Sequence, residues 1–326
     1  MKRVHVRGVS LVELMIAMAL GLLLLGACGY FYLASLTSTQ STLSVSRLQE
    51  SGRLAMELIG RDIRGTGDLL CDNRLPVANL LAERDRPFWA TLGQPLKGAA
   101  AGRGATYEDP VLASGTGAGQ RLPDAPALRL WTVVPLAIGA TGQVASREPI
   151  PVSGSQAPAK DVPLLVCDFK MAALIRVTGT GSSIGHAAPA NCAGYFSIGS
   201  ACPTETPAEA AQHRFGADTA FGLPRQVRWF VGNDDRGVAS LYRQELVDGR
   251  VASGGAVLAG VSHFSLRYLV QGQADYVTAE QVADSQWGQV RAVDVRLQLE
   301  AQAGSGAEAG ISRVFQQTYS VRSRLQ

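Results

Sequence analysis

The chain has 326 residues, of which 46% are hydrophobic and 17% are charged, and this balance excludes an intrinsically disordered protein. The net charge of +3 comes entirely from Lys2, Arg3 and Arg7, so the rest of the chain carries equal numbers of basic and acidic side chains. A neutral body lacks the clustered basic face of an electrostatic nucleic-acid binder, and no nucleic-acid partner is predicted.

The N-terminal region has the composition of a membrane segment. After the basic residues 1–8, no charged side chain occurs among the 21 residues from Leu14 to Ala34. A helix of this length measures roughly 30 Å, which is the thickness of the hydrocarbon core of a bilayer. The basic N-terminus favours the cytoplasmic side of the membrane, so the remaining chain is expected outside the cytoplasm.

Glu13 lies at the start of this apolar segment. A carboxylate there costs a few kcal/mol unless it lies near the interface or has a partner. One interpretation is an acid at the membrane edge that snorkels to lipid headgroups. The other is that Glu13 is present to form an ion pair.

The segment from Gly8 to Met15, GVSLVELM, resembles the leader motif of type IV pilins, G-F-[ST]-L-[VI]-E, with Val9 in place of the usual Phe. The resemblance implies that a prepilin peptidase cleaves after Gly8 and methylates the new N-terminus at Val9. It also implies that Glu13 pairs with the N-terminal amine of a neighbouring subunit. In a low-dielectric bundle of helices such a pair fixes the axial position of one subunit against the next, because leaving either charge unpaired is costly.

Beyond the membrane segment the helix is predicted to continue, so that it runs from Val9 to about Arg64. Residues 37–64 contain no proline, and Gly65 and Gly67 follow as stop signals. Apolar residues recur at helical spacing and predict a buried stripe made of Val45, Leu48, Leu54, Ala55, Leu58, Ile59 and Ile63. The other faces are polar and carry Gln40, Arg47, Glu50, Arg53, Glu57 and Arg61.

The segment from Leu48 to Cys71 resembles a narrower group, the PilW-type minor pilins, which share an L-Q-[EN]-x-G-R-x-A-x-[ED]-[LF]-[LI]-x-R-D-[IL]-R stretch followed by Gly and Cys. Residues 164–179, 257–272 and 291–301 also look PilW-like. The resemblance implies a structural protein, not an enzyme, with no cofactor. It also implies that the protein primes pilus assembly near the tip, and that twitching motility, adhesion or DNA uptake follow from the pilus machine.

The same resemblance implies partners and a location. The partners are the prepilin peptidase, other minor pilins and the major pilin, with a tip adhesin as a further candidate. Before assembly the chain is expected to cross the inner membrane once, with its C-terminal part in the periplasm. After assembly it is expected in the pilus at the cell surface.

Two alternatives remain open. A type II secretion pseudopilin of the J type shares the leader, the helix and a similar β domain, although the long body favours the pilus. A lipidated or membrane-anchored periplasmic binding protein is the second, because Leu25-Gly26-Ala27-Cys28 looks like a lipobox. Glu13 and the apolar sequence after Cys28 argue against lipidation, and a small buried residue in a helix packing face is the favoured interpretation of Cys28.

Beyond residue 70 the pattern indicates β-structure, which makes the fold class α+β: a long helix packed on an antiparallel sheet. Alternation predicts strands at 127–134, 164–178, 226–231, 240–246, 262–270, 290–299 and 313–322. Residues 233–237 read as a hairpin loop, and the stretches 93–127 and 140–162 as surface loops. The predicted boundaries are a leader at 1–8, a transmembrane half-helix at 9–36, an amphipathic half-helix at 37–66 and a β-rich domain at 67–326.

No motif in the body predicts catalysis. Residues 181–185 fit the G-x-S-x-G nucleophile elbow, with His186 beside them, but their surroundings are loop-like. The acidic loop at 233–237 could bind calcium, although a turn explains it better. No histidine has metal-ligand spacing with a cysteine pair, and no metal is predicted.

The cysteines are better explained as disulfides. Cys71, Cys167, Cys192 and Cys202 follow the membrane segment, as expected for an oxidising compartment, and four cysteines allow three pairings. Cys192 and Cys202 could close a Pro/Gly-rich loop, which leaves Cys71 with Cys167. A metal site built from the four cysteines is the weaker alternative, since they include no C-x₂-C pair.

Overall fold

The structure, a computed structural model, describes residues 10–72, 75, 77–82, 86–102, 114–154, 157–198, 202, 208–301 and 311–324. These residues fall into two compact units, one drawn from 1–50 and 300–313 and the other from 51–299 and 314–326. The fold class is α+β, as predicted: a long N-terminal apolar helix is followed by a β-sheet-rich region. The predicted domain boundaries remain predictions.

The long helix, α1, spans Leu11–Arg64. Its 54 residues correspond to roughly 80 Å of helix. The helix ends at the stop signal predicted from Gly65 and Gly67. The Gly65 amide donates to the carbonyl of Arg61, and Gly67 follows with a φ of +73°. The Gly67 amide then donates to the carbonyl of Trp131, which directs the chain into the sheet.

The buried stripe of α1 differs in part from the predicted one. Ala55, Ile59 and Ile63 are buried as expected, and Met56 joins them. Leu54 was expected in the stripe, but the structure exposes it, because it lies about 100° around the helix from Ala55 and about 140° from Ile59. The polar residues assigned to the other faces are exposed.

Fourteen strands follow among the described residues: β1 (Val77–Asn79), β2 (Leu96–Ala99), β3 (Ala127–Pro135), β4 (Gly139–Ala140), β5 (Ile150–Ser153), β6 (Pro163–Cys167), β7 (Ala172–Arg176), β8 (Ser183–Ile184), β9 (Ala220–Asn233), β10 (Ala239–Val247), β11 (Arg250–Ala259), β12 (Val261–Val270), β13 (Val290–Glu300) and β14 (Ser312–Ser320). A short helix, α2, spans Arg86–Trp89. Turns of 3₁₀ helix occur at Ala90–Gly93, Glu209–Ala211, Ala279–Gln281, Asp284–Gln289 and Arg322–Arg324.

The strands form three sheets. The largest has eight strands, with the order β1-β7-β6-β9-β10-β11, while β3 pairs with β9 and β2 pairs with β3. The other two have the orders β12-β13-β14 and β4-β5-β8. In the large sheet β1 and β7 run parallel and the other described strand pairs run antiparallel, so this sheet is mixed where an antiparallel one was predicted.

Two parts of the strand prediction need correction. The segment 164–178 forms two strands, β6 and β7, joined by a tight turn in which the Asp168 carboxylate accepts the amides of Lys170 and Met171. The predicted surface loops 93–127 and 140–162 contain the whole of β2 and β5, with Leu96 and Ile150 buried. Their glycine and alanine content suggested loops, but Ala99 and Ala100 are buried, and Gly98 lies directly against the ring of Tyr268.

Other predictions are confirmed. Strands β3, β10, β12 and β13 coincide with predicted ones to within a residue or two, and the acidic loop joins β9 to β10 as a hairpin. In this loop the Asp234 carboxylate accepts the backbone amides of Arg236 and Val238 and pairs with the Arg236 guanidinium. These bonds hold the pKa of Asp234 below its usual value, the amide of Val238 being the main cause.

Candidate functional site

Glu13 occupies the first turn of α1, and the first bond of the helix is donated by the Leu14 amide to the carbonyl of Ser10 at 3.1 Å. A carboxylate in the first turn interacts favourably with the helix dipole. The side chain is exposed, as are its apolar neighbours Leu11 and Leu14. Glu13 is therefore placed on a surface that a partner can reach.

The N-terminal half of α1 is an exposed apolar surface. Leucines 22–25 and the aromatic residues 30–32 each expose about two thirds of their side chains. Among the described residues, α1 is the one helix long and apolar enough to cross a membrane. So much apolar surface on one element needs lipid or other helices around it.

Small residues interrupt this surface. A methyl group added at Gly21, Gly26 or Gly29 would meet no atom within 4 Å. Cys28 is a free, exposed cysteine beside them, so within this chain it is not the buried packing residue that was expected. Glycines on a membrane helix allow a second helix to approach closely.

Gly8 and Val9, the predicted cleavage and methylation residues, lie outside the described residues. Their proposed relation to Glu13 therefore stays a prediction.

The C-terminal end of α1 packs on β14 through two glycines. A methyl group at Gly52 would collide with the ring of Phe315, and one at Gly60 with the ring of Tyr319. Both rings thus lie directly against the helix backbone, which only glycine permits.

Tyr319 also bonds to the helix. Its hydroxyl donates to the carbonyl of Met56 at 2.6 Å, and its ring lies 5.5 Å from the guanidinium carbon of Arg64. Burial raises the pKa of Tyr319 to about 12, with the charge of Glu57 adding to the shift and that of Arg64 opposing it.

Asp62 is the buried acid that joins α1 to the large sheet. Its carboxylate accepts the indole N–H of Trp229 at 2.9 Å and two bonds from Arg243, from Nε at 2.7 Å and Nη2 at 3.2 Å. Arg243 also donates to Glu245 at 2.6 Å. Two carboxylates therefore share one guanidinium at the point where the helix meets β9 and β10.

The charges in this network stabilise one another. Burial would lower the pKa of Arg243, but the hydrogen bonds to Asp62 and Glu245 raise it overall. Burial would likewise raise the pKa of Glu245, but its bond to Arg243 lowers it. Both groups are thus held in their charged forms.

Sequence reasoning missed Asp62 as a functional residue. A signal was present, because Asp62 lies three residues after Ile59 and so falls on the same face of the helix as the buried stripe. Its partners could not be found from the sequence, since Trp229 and Arg243 are more than 160 residues away.

Two disulfides occur in the structure, Cys71–Cys167 and Cys192–Cys202, with Cα–Cα distances of 6.1 and 5.8 Å. The first joins the segment after α1 to the end of β6. The second lies ten residues apart in sequence and closes a local loop.

The G-x-S-x-G segment does not have the geometry of a nucleophile elbow. Residues 183–184 form the short strand β8, and an antiparallel bridge joins Gly179 to Gly185. His186 is buried and donates from Nε2 to the carbonyl of Glu148 at 3.1 Å. Its burial lowers the pKa of His186, which favours the neutral ring.

Among the described residues, no group of three or more His, Cys, Asp or Glu side chains could hold a metal ion. One acid–histidine contact in the described part of the chain is a buried pair, with His213 Nε2 lying 2.7 Å from Asp168 Oδ2. The Asp168 carboxylate is already engaged in the β6–β7 turn, so this pair supports the fold of that turn.

Residues 3–29 match the prokaryotic N-terminal methylation motif. No curated protein and no solved structure matches the chain significantly. The matched segment contains Gly8 and Glu13, and it extends through the exposed apolar part of α1. Proteins that carry this motif are structural, are processed by a prepilin peptidase and assemble with other pilins. The motif supports an assignment to the type IV pilins or pseudopilins, and the single apolar helix fits a membrane-anchored protein of this kind.

Proposed function

We propose that the protein is a PilW-type minor pilin that primes assembly of a type IV pilus near its tip. The observation that carries the proposal is the N-terminal half of α1, which is apolar, exposed and marked by one carboxylate in its first turn. This is the surface that a helical filament core requires of each subunit, because every neighbour must bury the same kind of face.

The segment from Leu48 to Cys71 supports the narrower assignment. It resembles the PilW-type minor pilins, and its Arg-Asp-Ile-Arg stretch contains Asp62. In this chain Asp62 bonds to Trp229 and Arg243, which gives the acid of that stretch a structural role. The resemblance to the motif is thus matched by contacts that anchor the helix.

The role proposed for Glu13 is to pair with the amine of a neighbouring subunit. Cleavage after Gly8 frees a cationic N-terminus at Val9, and the carboxylate of Glu13 is exposed to receive such a group. In an apolar bundle either charge alone is costly, so the pair selects one register between adjacent subunits.

The proposed partners are the prepilin peptidase, other minor pilins, the major pilin and a tip adhesin. Before assembly the chain would span the inner membrane through α1, with its β-rich part in the periplasm. After assembly it would lie in the pilus at the cell surface. The two disulfides fit such an oxidising location.

A J-type pseudopilin of a type II secretion system is the second candidate, because the methylation motif is common to both classes. The genes beside this one separate the two, since minor-pilin genes support the pilus and secretion genes support the pseudopilin.

A periplasmic binding protein lipidated at Cys28 is the third candidate, favoured by the exposure of that thiol. The mature N-terminus distinguishes it from a pilin, because lipidation removes every residue before Cys28. A diacylated Cys28 in the purified protein would contradict the pilin assignment.

The test is the processing of Gly8→Glu beside the unchanged chain. A side chain at the cut site obstructs close approach of the backbone to the peptidase, so the variant should stay uncut in the membrane. Intact-protein mass spectrometry should find methylated Val9 at the N-terminus of the unchanged protein and the full leader on the variant. Normal maturation of Gly8→Glu would overturn the leader assignment.

A further inference from the structure

A cleft of about 640 Å³ lies within the unit formed by 51–299 and 314–326. Strand β12 forms one wall, and the end of β2 with residues 122–126 forms another. The volume lies in the range of sites that bind small molecules or short peptide segments. Neither the helix surface nor the anchoring network uses this cleft.

The wall formed by β12 has a free strand edge. β12 pairs with β13 along one side, from Val261 to Val270. On its other side, among the described residues, the backbone pairing of β12 is limited to the bridge between Tyr268 and Val277. In the described part of the chain, the edge from Val261 to Leu266 therefore borders the cleft without a neighbouring strand.

The bridge fixes which backbone groups point into the cleft. Tyr268 exchanges both backbone bonds with Val277, at 2.8 and 2.9 Å, so its N–H and C=O face away from β13. These directions alternate along an antiparallel strand. The N–H and C=O groups of Leu266 and Phe264 therefore also face the free edge, while Ser265 and Arg267 bond to β13.

The side chains around this edge suit an extended apolar segment. Phe264 and Leu266 are buried on the face opposite Ser265, and Ala99, Ala100 and Leu122 add small apolar surface to the cleft. A strand laid beside β12 would place alternate side chains on this same face, next to Phe264 and Leu266.

The charged lining of the cleft is acidic. Asp124 and Glu280 contribute carboxylates, and His263 is the one other titratable side chain besides Tyr268, whereas no Lys or Arg lines the cleft among the described residues. The exposed carboxylate of Asp124 therefore favours an occupant with basic side chains over an acidic one.

The exposed edge of β11 does not offer the same combination. It ends the eight-stranded sheet, but its first eight residues are exposed on both faces. A strand added there would gain backbone bonds without burying its side chains.

We propose that the cleft beside the free edge of β12 binds an extended, basic-flanked apolar segment of a partner protein by strand addition. The backbone of the segment would bond to Phe264 and Leu266, and its alternate apolar side chains would enter the cleft. This site is separate from the helix surface and does not depend on the proposed pilus role.

The probe for this site is the acetylated peptide KVTVTVTVTK, which alternates apolar and polar residues between two lysines. Hydrogen exchange of the full chain in detergent micelles, resolved to single amides, is the measurement. In the chain alone, Phe264 and Leu266 should exchange quickly while Ser265 and Arg267 are protected. Adding the peptide should protect Phe264 and Leu266.

Two matched controls sharpen the test. The peptide with N-methylated valines lacks the donors that face β12, and it should give no protection. Ser262→Lys places a cation at the rim of the cleft and should weaken peptide binding by about tenfold or more, measured by fluorescence anisotropy. Ser253→Lys, the same change on the exposed β11 edge, should leave binding unchanged.

Several outcomes would overturn the proposal. Phe264 and Leu266 amides already protected in the chain alone would mean that the edge is covered by the chain itself. Protection that rises with protein concentration and without peptide would identify a second copy as the occupant. Equal loss of binding in Ser253→Lys, or unchanged binding of the N-methylated peptide, would exclude strand addition at β12.

Discussion

At the residue scale, the proposed pairing of Glu13 with a neighbouring N-terminal amine would fix the register of the apolar helix surface between subunits. We expect Glu13→Leu to mature normally, because the peptidase acts upstream, but to lose association with other pilins. Loss of a buried charge partner costs about 3–5 kcal/mol, enough to lower incorporation about a hundredfold or more. Cleavage is read by mass, association by co-purification from detergent, and surface pili by shearing.

The matched control is Glu50→Leu, the same change at another exposed acid of α1. It should leave maturation and association intact. Normal association and piliation with Glu13→Leu would mean that the carboxylate is dispensable in this chain, and that other surfaces drive its assembly.

Asp62 illustrates the opposite case, an acid whose partners are all within the chain. We expect Asp62→Asn to lower the free energy of unfolding by about 2–3 kcal/mol, less than for a fully buried pair because Glu245 still compensates Arg243. The measurement is the urea midpoint followed by circular dichroism. The exposed Asp275→Asn serves as control, and equal midpoints for the two variants would show that the network contributes nothing.

At the scale of elements, the sequence predicted what depends on local pattern. The length of α1 could be predicted because an apolar run, an amphipathic run and two glycines follow one another without proline. The hairpin of β9 and β10 could be predicted from its turn residues. The prediction for Leu54 was wrong because the buried stripe of α1 is narrower than helical spacing alone suggests. Gly52 and Gly60 let β14 pack closely against one face of the helix, and Leu54 lies outside that face.

Gly60 tests this account of the helix packing. Alanine is preferred over glycine in helices by about 1 kcal/mol, so Gly60→Ala would stabilise a helix with open space around it. Here the added methyl meets the ring of Tyr319, which is buried and bonded to Met56. Because overpacking costs about 1–3 kcal/mol, we expect a net loss of stability in the urea midpoint.

Gly29→Ala is the matched control for Gly60→Ala, since a methyl group there meets nothing within 4 Å. It should leave the urea midpoint of the β-rich region unchanged. A Gly60→Ala protein as stable as the original would mean that Tyr319 can move away without cost.

At the scale of the whole molecule, long-range pairing limited what the sequence could predict. β2 and β5 are short and lie in Gly/Ala/Pro-rich stretches, so no local pattern predicts them. They are strands because distant segments pair with them, β3 with β2 and β8 with β5. The same limit applies to the candidate site: Glu13 could be identified from its motif, whereas the cleft beside β12 depends on segments that are distant in sequence.

The disulfides give a prediction at this scale, because they close loops of very different length. Cys71 and Cys167 are 96 residues apart, and Cys192 and Cys202 are ten. In the chain-entropy model the longer loop contributes about 4.7 kcal/mol and the shorter about 2.7 kcal/mol. Replacing Cys71 and Cys167 with alanine should therefore lower the urea midpoint more than replacing Cys192 and Cys202.

Tryptophan fluorescence measures this comparison, since all four tryptophans of the chain lie in the β-rich region. Alkylation of the unreduced, unfolded chain provides the control, and it should label Cys28 alone. Labelling of all five cysteines would show that neither bridge forms in the exported protein. If both bridges form but the shorter loop has the larger effect, native packing around Cys192 and Cys202, and not loop entropy, would dominate their contribution.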